Sequence, residues 1–314
     1  MPTLNRLLRI LPRLLQAGLW CGLFLLSAAS AAEPTRILLL LSEPHAPYQR
    51  FREAFERNLP PGARLEVRVL AEQEGVPLEA DLLLTVGAIS AQWAAGKSQL
   101  PLLATMLTGR DFERLPADRN ATRTISALYL DQPPSRRAAL IRAALPGRTR
   151  VGVLYSNGDT FSPGPLRHAL QQHGVQLTPF KRRQDSSLAA DLDELLLQSE
   201  VLLAIADSEI YNSSTIRNIL LSSYRRKVPL IGLSAAYVNA GALCAVFSTP
   251  EQYAAQAVHM LGDFLQAGRL PSPQYPQLYE IGLNTAVARS LHLDMPSIEN
   301  LRIEIEHLTA GYHP

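Results

Sequence analysis

Arg150-Val151-Gly152-Val153-Leu154-Tyr155 is a short, nearly continuous apolar run, preceded by Pro146-Gly147 and followed by Ser156-Asn157. A run of this length between turn residues predicts a strand buried on both faces, as in a parallel sheet. Five other runs share the pattern: Ile37–Leu41, Leu82–Val86, Leu102–Met106, Val201–Ala206 and Val228–Leu233. Leu65, Val67 and Val69 alternate with polar residues, which predicts a half-exposed edge strand.

The stretches between these runs carry helical spacing. Tyr48, Phe51, Phe55 and Leu59 make one apolar stripe, and Leu188, Leu192, Leu195 and Leu196 make another. The strongest helix signal has Thr249 as N-cap, Pro250 at the first helical position, Gln252 three residues past the cap and Gly268 as the stop. Its apolar face is Tyr253, Ala257, Met260, Leu261 and Phe264. Strands alternating with helices predict βαβ units joined by right-handed crossovers. The alternation ends once near Tyr129, with a helix from Pro134 to Leu145 expected to close it, and restarts at Arg150. Two α/β halves of roughly 100 residues each predict two lobes.

Outward from the repeat, the amino terminus reads as an export signal spanning residues 1–32. Arg6, Arg9 and Arg13 precede an apolar core from Ala17 to Leu26, and Ser27–Ala32 supplies small residues with Ala29 and Ala31 in the peptidase pattern. The core is shorter than the ~20 residues that span a bilayer. Cleavage removes three arginines and leaves 27 basic against 28 acidic residues, a charge of −1 with histidines neutral. That balance argues against nucleic acid or an anionic membrane as partner. Cys244 becomes the sole cysteine, so an intramolecular disulfide is excluded. The seven histidines show no ligand spacing, and no Gly-rich phosphate loop or nucleophile elbow occurs. No metal, cofactor or catalytic residue is assigned, and the chain is expected to be a non-enzyme.

The order Arg150–Tyr155, Leu202-Leu-Ala-Ile-Ala-Asp207, Val228-Pro-Leu-Ile-Gly-Leu-Ser234, Ala240-Gly-Ala242, Asn284-Thr-Ala-Val-Ala288 and Leu293-Asp-Met-Pro296 resembles a known family. It is similar to the ABC-transporter substrate-binding proteins of the tryptophan/tyrosine-binding type, as a divergent branch. The resemblance runs from Ile37 to Pro296. It implies a type I periplasmic-binding fold: two Rossmann-like lobes with parallel sheets and a ligand cleft between them. It also places the first lobe at residues 33–147 and 249–277 and the second at 148–248 and 278–314. Two departures bear on the ligand: Asp207 follows Ala206 rather than a proline-bearing strand end, and Thr108-Gly109-Arg110-Asp111 replaces an Asp-Pro.

Ligands of open parallel sheets sit outside the carboxyl ends of the strands. The candidates are therefore Ser42, Gly87, Ser90 and Thr108 in the first lobe, with Tyr155, Ser156, Asn157, Asp207, Tyr211 and Ser234 in the second. Ser90 and Ser234 could offer a hydroxyl and helix-start N–H groups to an anion, or be plain helix-start residues. Asp207 could accept from a ligand ammonium or cap a helix beginning near Tyr211. Tyr155 or Tyr211 could stack on a flat ligand or pack between the lobes. The expected function is the periplasmic solute-binding component of an ABC importer, a monomer whose lobes close on a small polar or zwitterionic ligand. Its partners are that ligand and an inner-membrane ABC permease or membrane sensor. The alternatives are a periplasmic sensing or interaction protein of the same fold without transport, or an exported α/β enzyme.

Overall fold

The computed structural model describes residues 33–72, 79–116, 124–156 and 161–310. The export signal at 1–32 and the candidate Asn157 lie outside the described residues.

The first half forms β1 (Thr35–Leu41), α1 (Ala46–Arg57), β2 (Ala63–Val69), β3 (Leu82–Val86), α2 (Ala88–Lys97), β4 (Leu102–Leu107), α3 (Gly109–Glu113) and β5 (Ile125–Tyr129). These five strands make one parallel sheet in the order β2-β1-β3-β4-β5. Every residue of β3 and β4 is buried, as their continuous apolar runs predict, while β2 alternates at the sheet edge.

After α4 (Pro134–Ala144), the second half forms β6 (Arg150–Tyr155), α5 (Pro163–Gln171), β7 (Gln176–Lys181), α6 (Leu188–Gln198), β8 (Val201–Leu203), α7 (Ile216–Arg225), β9 (Leu230–Gly232), α8 (Ala235–Ala240) and β10 (Cys244–Phe247). It is completed by β11 (Glu280–Leu283), α10 (Thr285–Ser290) and α11 (Ile298–Thr309), with α9 (Pro250–Ala267) intervening. The second sheet runs β11-β10-β9-β8-β6-β7, and only β11 is antiparallel. Its first five strands in chain order repeat the order of the first sheet. The chain is a two-lobed α/β fold.

Three segments cross between the lobes. After β5 the chain enters α4, whose buried Ala138, Leu140 and Ile141 join the core around β6 and β8. The sequence reading had this helix close the first lobe; its apolar face instead packs with the second, on a side with α5 and α11. After β10, α9 returns to pack along α1, placing Tyr253, Ala257 and Met260 in the first core. The Thr249 capping box and the left-handed Gly268 end this helix where its sequence signals lie. The third crossing runs beside β5, where Gln274 bonds Ala127 and Tyr129, and then enters β11.

Side chains tie the crossings together. Gln132 Nε2 donates to Ser248 Oγ at 2.9 Å, and that hydroxyl donates to the Leu278 carbonyl at 2.6 Å. Arg136 donates to Gln132 Oε1 at 2.6 Å and to the Pro276 carbonyl at 2.8 Å. The hinge is thus one hydrogen-bonded unit. Among the described residues, no helix is long and apolar enough to cross a membrane.

Candidate functional site

Each sheet reverses its strand order once, between β1 and β3 in the first lobe and between β6 and β8 in the second. Such switch points are where open α/β sheets bind ligands. In the first lobe the gap is filled from within. Gly87 has φ +96°, and a Cβ there would lie 2.6 Å from both Tyr48 Oη and Ser42 Oγ. Tyr48 therefore packs directly on the strand end, and burial pushes its phenol pKa up, with Glu43 and Asp111 adding to the rise.

Ser42 Oγ accepts the Ser90 N–H at 2.9 Å and donates to Ser90 Oγ at 3.0 Å. The Ser90 hydroxyl donates to the Val86 and Gly87 carbonyls, both at 3.1 Å, and the residue is 0% exposed. Its hydroxyl and helix-start N–H are spent inside the fold. The anion-binding role considered for Ser90 gives way to the helix-start reading.

The loops at the second switch point are tied to each other by Asp207. Its Oδ2 accepts the Ser156 N–H at 2.7 Å and its Oδ1 the Glu209 N–H at 3.1 Å. Its own carbonyl accepts from Tyr211 N at 2.7 Å. The residue is 5% exposed. This is the chemistry of a turn-closing aspartate. The helix the sequence placed near Tyr211 starts only at Ile216, because Asn212 and Thr215 form turns first. Tyr211 is buried in the second core, with its carbonyl accepting from Tyr237 Oη at 3.2 Å. Tyr155 packs against Phe161 at 5.4 Å between ring centroids.

Three cavities follow the cleft from the hinge outward. The hinge cavity, about 200 Å³, lies between Leu130–Gln132, Ser248 and Tyr253 on one side and Leu203, Ile231 and Ser234 on the other. The central one, about 170 Å³, is lined by Arg110, Asp131, Arg137, Phe161, Ile205 and Tyr275, among others. The front one, about 340 Å³, sets Thr108, Arg110 and Arg114 against Ser156, Asp207, Glu209 and Tyr211. Thus Thr108, Ser156, Asp207 and Tyr211 come together in the front cavity, and Ser234 joins the hinge cavity. Ser42, Gly87, Ser90 and Tyr155 line none of the three.

Sequence reasoning left Arg110, Asp131 and Arg137 out of the site. Thr108 caps α3 through a reciprocal bond with Asp111, which sets Arg110 one step along the helix. Arg110 then reaches across the cleft to the Ala206 carbonyl. Arg137, on α4, donates to the Ala204 carbonyl at 2.6 Å. These two carbonyls explain why β8 stops at Leu203 although its apolar run continues to Ala206. Asp131 accepts the Gly109 N–H at 2.7 Å between the two arginines. Burial raises the Asp131 pKa, partly offset by that bond and by Arg137 and Arg110. Burial likewise lowers the pKa of Arg137. Arg137 reaches the cleft through the placement of α4 against the second lobe, a long-range contact.

A family profile, ABC transporter substrate binding protein, matches residues 79–295, well over half of the chain. The chain belongs to the ABC transporter substrate-binding protein family. Solved structures share this family's two-lobed fold at low identity. An ABC domain in complex with L-Trp from Streptococcus pneumoniae is 16% identical, with 85% of this chain and 98% of that one covered and a TM-score of 0.61. A ligand-free, open substrate binding protein with adhesive properties from Clostridium difficile is 16% identical over 85% of this chain and 97% of its own, with a TM-score of 0.63. A conserved domain protein from Vibrio cholerae, 16% identical, covers 87% and 98% with a TM-score of 0.61. No curated protein matches the sequence. The substrate-binding family and the type I periplasmic-binding fold are those the sequence order resembles.

Proposed function

We propose that the protein is the exported solute-binding component of an ABC importer, taking a small ligand with polar groups between its lobes. The observation that carries this reading is the row of cavities at the carboxyl ends of both sheets, lined from both lobes and backed by a three-segment hinge. Ligand bridging the cleft would favour the closed arrangement, and a membrane permease would read that form. The family membership supports the transport role, and the amino-terminal signal supports a periplasmic location.

The test is a thermal-shift panel on purified protein with amino acids, small peptides, sugars, nucleosides and vitamins. A ligand at 100 times its Kd adds about 2.7 kcal/mol to stability, an easily measured shift. A saturable response in one class is expected. A flat response across every class contradicts the reading. Mass spectrometry of the periplasmic protein should find its amino terminus within or just after Ser27–Ala32; an intact Met1 there contradicts the export signal.

A further inference from the structure

Arg137 stands apart from the other charges of the cleft. It is the one cation, among the described residues, that lines both the hinge and the central cavity. Its side chain donates to a neutral acceptor, the Ala204 carbonyl at 2.6 Å, and it makes no ion pair among the described residues. A partly buried guanidinium facing a cleft is commonly held by a carboxylate within hydrogen-bond reach. Asp131 acts on Arg137 from a distance, while its own oxygen accepts the Gly109 N–H.

Two arginines meet in the inner cleft. Arg110 approaches from the first lobe and Arg137 from the second, with Asp131 between them. Glu113, at the mouth of the central cavity, is exposed and so screened by water. Glu209, in the front cavity, is exposed as well, while two other acids of the cleft are committed to the fold. Asp111 is held in the α3 capping box, and Asp207 accepts the Ser156 and Glu209 N–H groups. The hinge cavity beyond Arg137 is walled mainly by Leu130, Leu140, Leu203, Ile231, Val246 and Phe247. A charge anchor thus stands at the entrance of an apolar chamber.

We propose that Arg137 is the anion anchor of the ligand site, and that the ligand is a monocarboxylate with an apolar body seated toward the hinge. The planar guanidinium fits a carboxylate through two parallel N–H···O bonds. This inference deepens the solute-binding reading and rests on it.

The experiment measures affinities by titration calorimetry for benzoate, 3-phenylpropanoate and 4-methylpentanoate, each beside its primary amide. Phenylalanine, glucose and adenosine serve as the other classes. At least one acid is expected to bind tenfold or more tightly than its amide. Arg137→Gln should bring that acid to the level of the amide, whereas Arg137→Lys should keep a reduced preference. Cooperative melting checks that each variant folds. If Arg137→Gln fails to fold, the wild-type acid-to-amide ratio and the Lys variant decide. Equal binding of acids and amides, or an acid preference that survives Arg137→Gln, overturns the proposal. Binding of glucose or adenosine with no response to any acid overturns it while leaving solute binding intact. Silence from every class overturns both.

Discussion

The two lobes are built on the same strand order, yet their switch points are closed in different ways. In the first lobe, Tyr48 packs over Gly87 while Ser42 and Ser90 bond each other. In the second, a single carboxylate, Asp207, draws the loop after β6 to the loop after β8. One gap is filled by apolar and hydroxyl contact, the other by a charge bonded to backbone N–H groups. The first gap borders none of the three cleft cavities, whereas the second lines the front one through Ser156, Asp207 and Tyr211. Arg110, Asp131 and Arg137 gather nearer the hinge, around the central cavity. Repeated topology therefore gives each lobe a switch point, and side-chain packing makes the two unlike.

The largest expected effect breaks the first-lobe plug. Gly87→Ala combines a positive φ with a Cβ contact of 2.6 Å to Tyr48 and Ser42. It should cost about 3 kcal/mol in urea unfolding, from backbone strain and overpacking together. Ser156→Ala, in the loop after β6 at the second-lobe switch point, keeps the N–H that bonds Asp207 and should be nearly neutral. Comparable losses in the two variants would erase the contrast between the lobes.

Next comes the second-lobe tie. Asp207→Ala strands the Ser156 and Glu209 N–H groups and should cost about 2 kcal/mol of stability. It should weaken ligands with and without an amine alike. A loss confined to amine-bearing ligands would restore the ammonium-binding role that the sequence offered for Asp207.

Asp191 gives the control, the same chemistry away from the cleft. It is 0% exposed and accepts from the Arg183 backbone N–H at 3.0 Å and from Arg183 Nε at 2.8 Å. Burial alone would raise its pKa, but these bonds outweigh it and hold the carboxyl below the usual value. A depressed acid stabilises the fold above its unfolded pKa and loses that contribution as pH falls through the folded one. Asp191→Asn should therefore cost about 1.5 kcal/mol at neutral pH, with the gap to wild type narrowing below about pH 4. Chemical unfolding at pH 7 and pH 3 reads both values, and a gap that widens in acid contradicts the assignment. The smallest effect is at the hinge, where Gln132→Ala removes bonds to Ser248 and Arg136 and should cost about 1 kcal/mol. A loss above about 2 kcal/mol would make the hinge, rather than the lobes, the main source of stability.

Much of the architecture was legible because it rests on local pattern. The runs Leu82–Val86 and Leu102–Met106 are apolar at every position as two-sided burial requires, and the Thr249 cap and Gly268 stop are short-range chemistry. The site was less legible because it rests on long-range packing. Arg137 lies near Ala204 only because α4 packs on the second lobe, and the sequence had grouped that helix with the first. Ser90 looked available because its seclusion depends on Ser42, 48 positions earlier. Arg110 stood beside the candidate Thr108, but its reach to Ala206 depends on the lobes facing each other. Ser234 and Thr108 line cavities from strand ends and helix starts, positions that mark themselves locally.

Small-angle X-ray scattering on the purified protein, with and without a saturating ligand from the binding panel, tests most directly whether the lobes close on a solute. The account predicts a saturable fall in radius of gyration that follows ligand occupancy and is absent with non-binding analogues. A bound ligand that leaves the radius of gyration unchanged would contradict closure between the lobes as the working motion of this protein.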